Sequence, residues 1–289
     1  MNTSSKGTIA LLFAAFMYGT WGVLSRFLGQ NFDLFFQMWT RYLFLSVMLF
    51  IIMVARSSWK TIGKDNMRWF FIRIGAGFIT VLTIYLAFNN IAIGISYFGS
   101  YTGTLVGGYV IGSLFLGEKI TKIKLTSLIF SLLGVYIIYS FNPVQINFYY
   151  FVLALLSGFA YATWYSTSKK LSDKYSNIQL VFIDFTAGFF LAFLLSALLK
   201  EQWIVPSLTL PWLVNFVFAL TSVSSGILLI YGFKYISIQV GSMILLTEIL
   251  FGIVLGYLFF SEAVTMSTFL GGGIILSSVA LSLYTSKDR

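Results

Sequence analysis

Runs of about twenty apolar residues follow one another along this chain with only short connections between them. Twenty is the number a helix needs to cross the hydrocarbon of a bilayer, so little else can be built from such a string. The runs predict ten membrane spans. Those of the first half are Gly7–Phe27, Phe35–Arg56, Trp69–Asn89, Ile95–Leu116 and Leu125–Phe141. Those of the second are Tyr149–Ser168, Ile178–Leu199, Trp212–Tyr235, Val240–Phe260 and Met266–Tyr284. A β-barrel would show alternating polarity in roughly ten-residue segments, and the sequence does not. Charged residues make up 9% of the chain, far below the quarter usual in soluble domains, so the expected fold class is an all-α membrane protein. Pro143, Pro206 and Pro211 are expected between helices, where a missing N–H costs little.

The chain has no Cys and no His. Disulfides, a cysteine nucleophile and histidine general-base chemistry are therefore excluded, and no metal or cofactor is expected. The opening "MNTSSKG" is too short and polar for the charged region of a signal peptide, so the first apolar run is expected to be retained.

A net charge of +9 would suggest nucleic acid in a soluble protein. Here the cations cluster in short loops, where they set orientation, and no nucleic-acid partner is expected. With the N-terminus inside, fifteen of the eighteen face the cytoplasm, including the groups Arg56–Arg73, Lys119–Lys124 and Lys169–Lys174. Arg26 and Lys200 are left outside, with Arg41 inside a span. Both termini are then cytoplasmic, in the plasma (inner) membrane.

The two halves also resemble each other. "AAFMYGTWG" lies over "SGFAYATWY", with Tyr18 and Tyr161 separated by 143 positions. "GEKIT", from Gly117, faces "SEAVT", from Ser261, at a spacing of 144, and Gly108-x3-Gly112 lies over Gly252-x3-Gly256 at the same spacing. Five spans per half is an odd number, so the second half enters the membrane from the opposite side. Such inverted repeats are typical of secondary transporters with a midplane site between the repeats. Lys119, Lys122 and Lys124 have uncharged counterparts in the second copy, as opposite orientation demands. Thr121 and Thr265 read as N-caps, and Glu118 and Glu262 as structural residues at helix ends.

Two five-helix repeats, each ending in a small-Glu-x-[Ile/Val]-Thr step, resemble the EamA branch of the drug/metabolite transporter superfamily. The repeats are placed at residues 7–141 and 149–284. The resemblance implies a central cavity enclosed by the first, third, fourth, sixth, eighth and ninth helices. Members often carry proline in the fourth helix and an "EP" step in the ninth. Here the fourth reads "GSYTGTLVGG" and Glu248 is followed by Ile249, so glycine is expected to supply the distortion.

Against that frame, Tyr18 and Trp21 share one face of the first helix, and Tyr161 and Trp164 one face of the sixth. Both pairs are expected to line the cavity, the alternative being interfacial packing. Glu248 stands near mid-span, where a carboxylate costs about 2.5–3.5 kcal/mol on insertion scales. It is expected to hold a substrate's positive charge or a coupling proton, or else to pair with Arg41. Thr104 is its counterpart in the first repeat. Arg41 and Asp184 correspond at spacing 143 and read as a gating or structural pair. Gly99, Gly103 and Gly107 form a small-residue stripe, suited to tight packing or to sliding. Tyr101 beside Thr104, with Tyr85 and Tyr231 in the third and eighth helices, completes the candidate binding residues.

The expected function is secondary active transport of a small polar metabolite, most of all an amino-acid-like solute, by alternating access. Export is the default that the resemblance implies, protons are the expected coupling ion, and the protein is a monomer or homodimer in the lipid bilayer. The alternative substrate is a quaternary amine such as choline, held in an aromatic cage with Glu248. No phosphate loop or HExxH motif supports an enzyme, and no charged ring supports a channel.

Overall fold

The computed structural model describes residues 3–88, 90–91, 93–139, 147–261 and 264–286. Glu262 and Pro143 lie outside the described residues. Among the described residues the regular structure is helical: α1 (Thr3–Leu28), α2 (Leu34–Ala55), α3 (Lys64–Phe88), α4 (Ile93–Leu116) and α5 (Lys122–Tyr139) in the first half. The second half holds α6 (Phe148–Leu171), α7 (Asn177–Leu198), α8 (Leu210–Tyr235), α9 (Ile238–Leu245), α10 (Thr247–Phe260) and α11 (Met266–Ser286). α9 and α10 together occupy the ninth predicted span.

Seven described stretches are long and apolar enough to cross a membrane: α1, α2, α3, α7, α8, α9 with α10, and α11. α4 and α6 carry Gly, Ser, Thr and Tyr along their length, and α5 is the shortest of the helices in the first half. Large apolar side chains such as Phe13, Phe50, Val54, Phe190, Leu194 and Leu198 point outward, a surface suited to lipid and not to water.

Several helix starts follow from local chemistry. The side chains of Asn147, Ser176 and Ser237 accept from the N–H groups of Tyr149, Gln179 and Val240. Thr121 and Thr265 accept from Lys124 and Thr268 N–H groups at 3.3 and 3.4 Å, so both act as the expected N-caps. Pro211 sits inside the first turn of α8, not ahead of it, where its missing N–H has no helical partner to lose. Two carboxylates cap helices of the opposite half. Glu201 accepts from Phe35 N–H at 3.0 Å and Phe36 N–H at 2.6 Å, opening α2. Glu118, buried to 7% exposure, accepts from Ile238 N–H at 2.7 Å and Gln239 N–H at 3.2 Å, opening α9. Lys169 of α6 completes that cluster at 2.9 Å from Glu118. Negative charge at a helix N-terminus complements both the free N–H groups and the helix dipole.

The packing list maps onto itself when the halves are exchanged. α1 lies against α8 and α10, while its counterpart α6 lies against α3 and α4; α2 pairs with α7, and α5 with α11. The closest approach is between α4 and α6. A Cβ on Gly103 would run into the carbonyl oxygen of Leu155, and one on Gly158 into that of Ser100. The glycine stripe thus serves tight packing, with Gly99 and Gly107 against Ala154 and Ala162. At the equivalent contact of α1 with α10, Gly19 lies against Phe251 and Gly252.

The ninth span is interrupted at Leu246, and not by glycine. Leu246 N–H donates to Met243 O and Ile249 N–H to Leu246 O, both three residues back, while the Thr247 hydroxyl takes the carbonyl of Ile244 at 2.7 Å. A side-chain hydroxyl that competes for a backbone acceptor loosens the helical ladder at that turn. The interruption falls immediately before Glu248.

Candidate functional site

A cavity of about 380 Å³ opens between the halves, and α1, α2, α3, α4, α6, α7, α8 and α10 all contribute to its wall. The sequence reading leaves out α2 and α7, which bring Arg41 and Asp184 to it. Tyr18, Trp21, Tyr101, Thr104, Tyr161, Trp164 and Glu248 all line this space. The side chain of Tyr85 lies outside the described residues. Tyr231 is not in the wall; it packs edge-on against Tyr235, ring centroids 5.1 Å apart.

The duplicated aromatic pairs meet across the pseudo-two-fold. Tyr18 packs on Trp21 at 4.8 Å and on Tyr161 at 6.3 Å, the latter nearly perpendicular, and Tyr161 stacks on Trp164 at 5.9 Å. Edge-to-face contact of this kind is favourable beyond area burial. Glu248, partly buried beside the interruption in its span, accepts from the Tyr101 hydroxyl at 3.4 Å, which links the second half to α4 of the first. Tyr101 stacks in turn on Tyr97 at 5.7 Å. The Thr104 hydroxyl donates to Ser100 O at 2.9 Å and also meets Gly158 O at 3.2 Å, so it is committed to the α4–α6 contact.

The charged residues pair differently from the sequence expectation. Asp184 takes Arg73, not Arg41. Arg73 Nε donates to Oδ1 at 2.8 Å and Nη2 to Oδ2 at 2.6 Å, a two-pronged pair. Nη1 reaches Ser168 Oγ at 2.6 Å and Trp164 O at 3.2 Å, and the guanidinium carbon sits 4.6 Å from the Trp164 ring centre. Arg73 is fully buried, so it is no loop cation. Its position inside the predicted span Trp69–Asn89 is the signal that identifies it as an intramembrane charge.

Arg41 is also buried, at 4% exposure, and is not paired with Glu248 or Asp184. Its guanidinium lies on the Phe218 ring, 3.8 Å from the centre, with Tyr42 at 5.4 Å. Phe218 also receives the edge of Trp21 at 5.4 Å. Among the described residues, Arg41 Nε and Nη1, and Trp21 Nε1, are buried without a hydrogen-bond partner.

The site therefore offers an aromatic wall, the Glu248 carboxylate, the Arg73–Asp184 ion pair and the Arg41 guanidinium around a space of small-molecule size. Comparison with known proteins agrees with such an architecture. A model of the EamA-like transporter family matches residues 5–140 and again 148–284. A protein of Archaeoglobus fulgidus described as an uncharacterized transporter is 25% identical over 254 residues, covering 77% of this chain and 88% of its own. A protein known from its crystal structure shares the fold with a TM-score of 0.81 at 13% identity, over 98% of both chains. Because the two family matches together span nearly the whole sequence, this chain is an integral membrane protein belonging to the EamA-like transporter family.

Proposed function

We propose that this protein is a secondary active transporter of a small polar metabolite, above all an amino-acid-like solute. The observation that carries the reading is the position of Glu248: a carboxylate in the cavity wall, at the interruption of its span, bonded to Tyr101 of the other half. A carboxylate so placed can hold an ammonium group and can exchange it for a proton. In this reading ten spans form two inverted repeats, residues 7–141 and 149–284, that rock about the cavity. Both termini are cytoplasmic, the membrane is the plasma membrane, and the default direction, from the family resemblance, is export.

The test is flux into proteoliposomes holding the purified protein. The expected result is uptake of an amino acid that a proton gradient accelerates, with at least tenfold loss and no remaining pH dependence in Glu248→Gln. Unchanged pH-dependent flux in that variant rejects proton coupling at Glu248. A second substrate reading is favoured by the rings of Tyr18, Trp21, Tyr161 and Trp164 in the same wall, which suit a quaternary ammonium such as choline. Choline outcompeting every amino acid would select it.

A further inference from the structure

The pseudo-symmetry of the halves leaves one charge unbalanced. Asp184 and Arg41 occupy equivalent positions, at spacing 143, in α7 and α2. Asp184 is neutralised by the two-pronged contact from Arg73 on α3. In the corresponding place beside Arg41, the eighth helix presents no acid. It presents Phe218, whose ring lies 3.8 Å from the guanidinium carbon. A ring face relieves part of a cation's desolvation but accepts no hydrogen bond from the guanidinium edge.

That edge points to a missing acceptor. Nε and Nη1 of Arg41 are buried with no partner among the described residues, Arg41 is 4% exposed, and it forms part of the cavity wall. The indole Nε1 of Trp21, on the same Phe218 ring and in the same wall, is a third donor without a partner. Orphaned buried donors are uncommon and a buried cation with no counter-charge is costly, so two such residues in the wall of one cavity call for a ligand. The Asn215 amide nitrogen donates to the Thr40 hydroxyl, which in turn donates to Phe36 O, and the buried Asn215 Oδ1, itself without a partner among the described residues, makes no hydrogen bond to Arg41.

We infer that Arg41 and Trp21 form an oxyanion subsite that takes the carboxylate of the transported solute. A guanidinium N–H and an indole N–H beside it can each donate to a carboxylate oxygen, and the guanidinium supplies the counter-charge. The inference rests on the transporter reading above and deepens it. Glu248 would take the cationic end and Arg41 the anionic end, so the preferred cargo carries both charges, and a bare amine fills only half the site.

The experiment is ligand-induced thermal stabilisation of the full-length protein in detergent, read as apparent affinity. The probes are the twenty proteinogenic L-amino acids, each beside its α-carboxamide and its decarboxylated amine, with acetate and inorganic phosphate as simple anions. In the wild type the best amino acid is expected to bind at least tenfold more tightly than its amide or amine. Arg41→Gln should bring the amino acid to the level of its amide while leaving the amine unchanged. Arg41→Lys, which keeps the charge without the planar guanidinium, should lose threefold or more and serves as the comparison if Arg41→Gln does not fold. Equal binding of acid and amide in the wild type, or an acid preference that survives both variants, overturns the subsite. Should no amino acid bind while acetate or phosphate does so in an Arg41-dependent way, the subsite stands and the amino-acid reading falls. If no probe binds in an Arg41-dependent way, the subsite falls, and Arg41-independent amine binding alone would leave the choline reading in place.

Discussion

Arg73 and Asp184 illustrate how a buried charge is made tolerable, since every prong of the guanidinium that faces protein has an acceptor. Removing one partner strands the other. Arg73→Met or Asp184→Leu alone is expected to cost about 3–5 kcal/mol, visible as a large drop in melting temperature, because the remaining ion is uncompensated. The double replacement should cost clearly less than the sum of the singles, since it removes both ions together. At this scale the sequence shows which charges lie in spans but not which of them touch. Arg41 and Asp184 are legible as equivalents, yet equivalence under a two-fold does not bring two side chains together. Arg73 stands five positions beyond Arg68, so a tally of loop cations absorbs it. Tyr231 shares a helix with true wall residues but faces Tyr235, because a helix presents only one side to the cavity.

Helices in lipid gain nothing from hiding apolar surface from one another, so close fit decides which of them pair. The α4–α6 crossing depends on Gly103 and Gly158, whose missing side chains make room for backbone carbonyls. Either one changed to Ala is expected to destabilise by about 1–3 kcal/mol through overpacking. Gly75 of α3 is the control. A Cβ there meets open space, so Gly75→Ala should stabilise by about 0.5–1 kcal/mol. Denaturation of the three variants in the same detergent checks the sign of each. The stripe of small residues is plain in the sequence, whereas the interruption at Leu246 is not. A single Thr within an apolar run carries no signal comparable to proline, and the break shows in the three-residue bonds made by Leu246 and Ile249 N–H together with the Thr247 hydroxyl on the Ile244 carbonyl.

For the molecule as a whole, the exchange symmetry of the packing is the strongest link from sequence to fold. Shared spacings of 143 and 144 across separate motifs announce the duplication before any helix is placed. What the repeat leaves open is the wall itself, because α2 and α7 join it through contacts that no spacing encodes. The proposed inverted arrangement makes a direct prediction. The chain has no cysteine, so a thiol introduced at Arg56, between α2 and α3, or at Gln202, between α7 and α8, is the single reactive group. Impermeant reagent applied from outside is expected to label Gln202→Cys and spare Arg56→Cys until the membrane is opened. Labelling of both from one side would refute the topology.

The Glu118 cap has a mechanical meaning. Its carboxylate, with Lys169, fastens one tip of α9, and the other tip is the interruption that adjoins Glu248. An eight-residue helix is about 12 Å long and stiff, and this one has a clamp at one end and the interruption at the other. Under the proposed function, strain arising where cargo meets the acid would be delivered along α9 to the clamp.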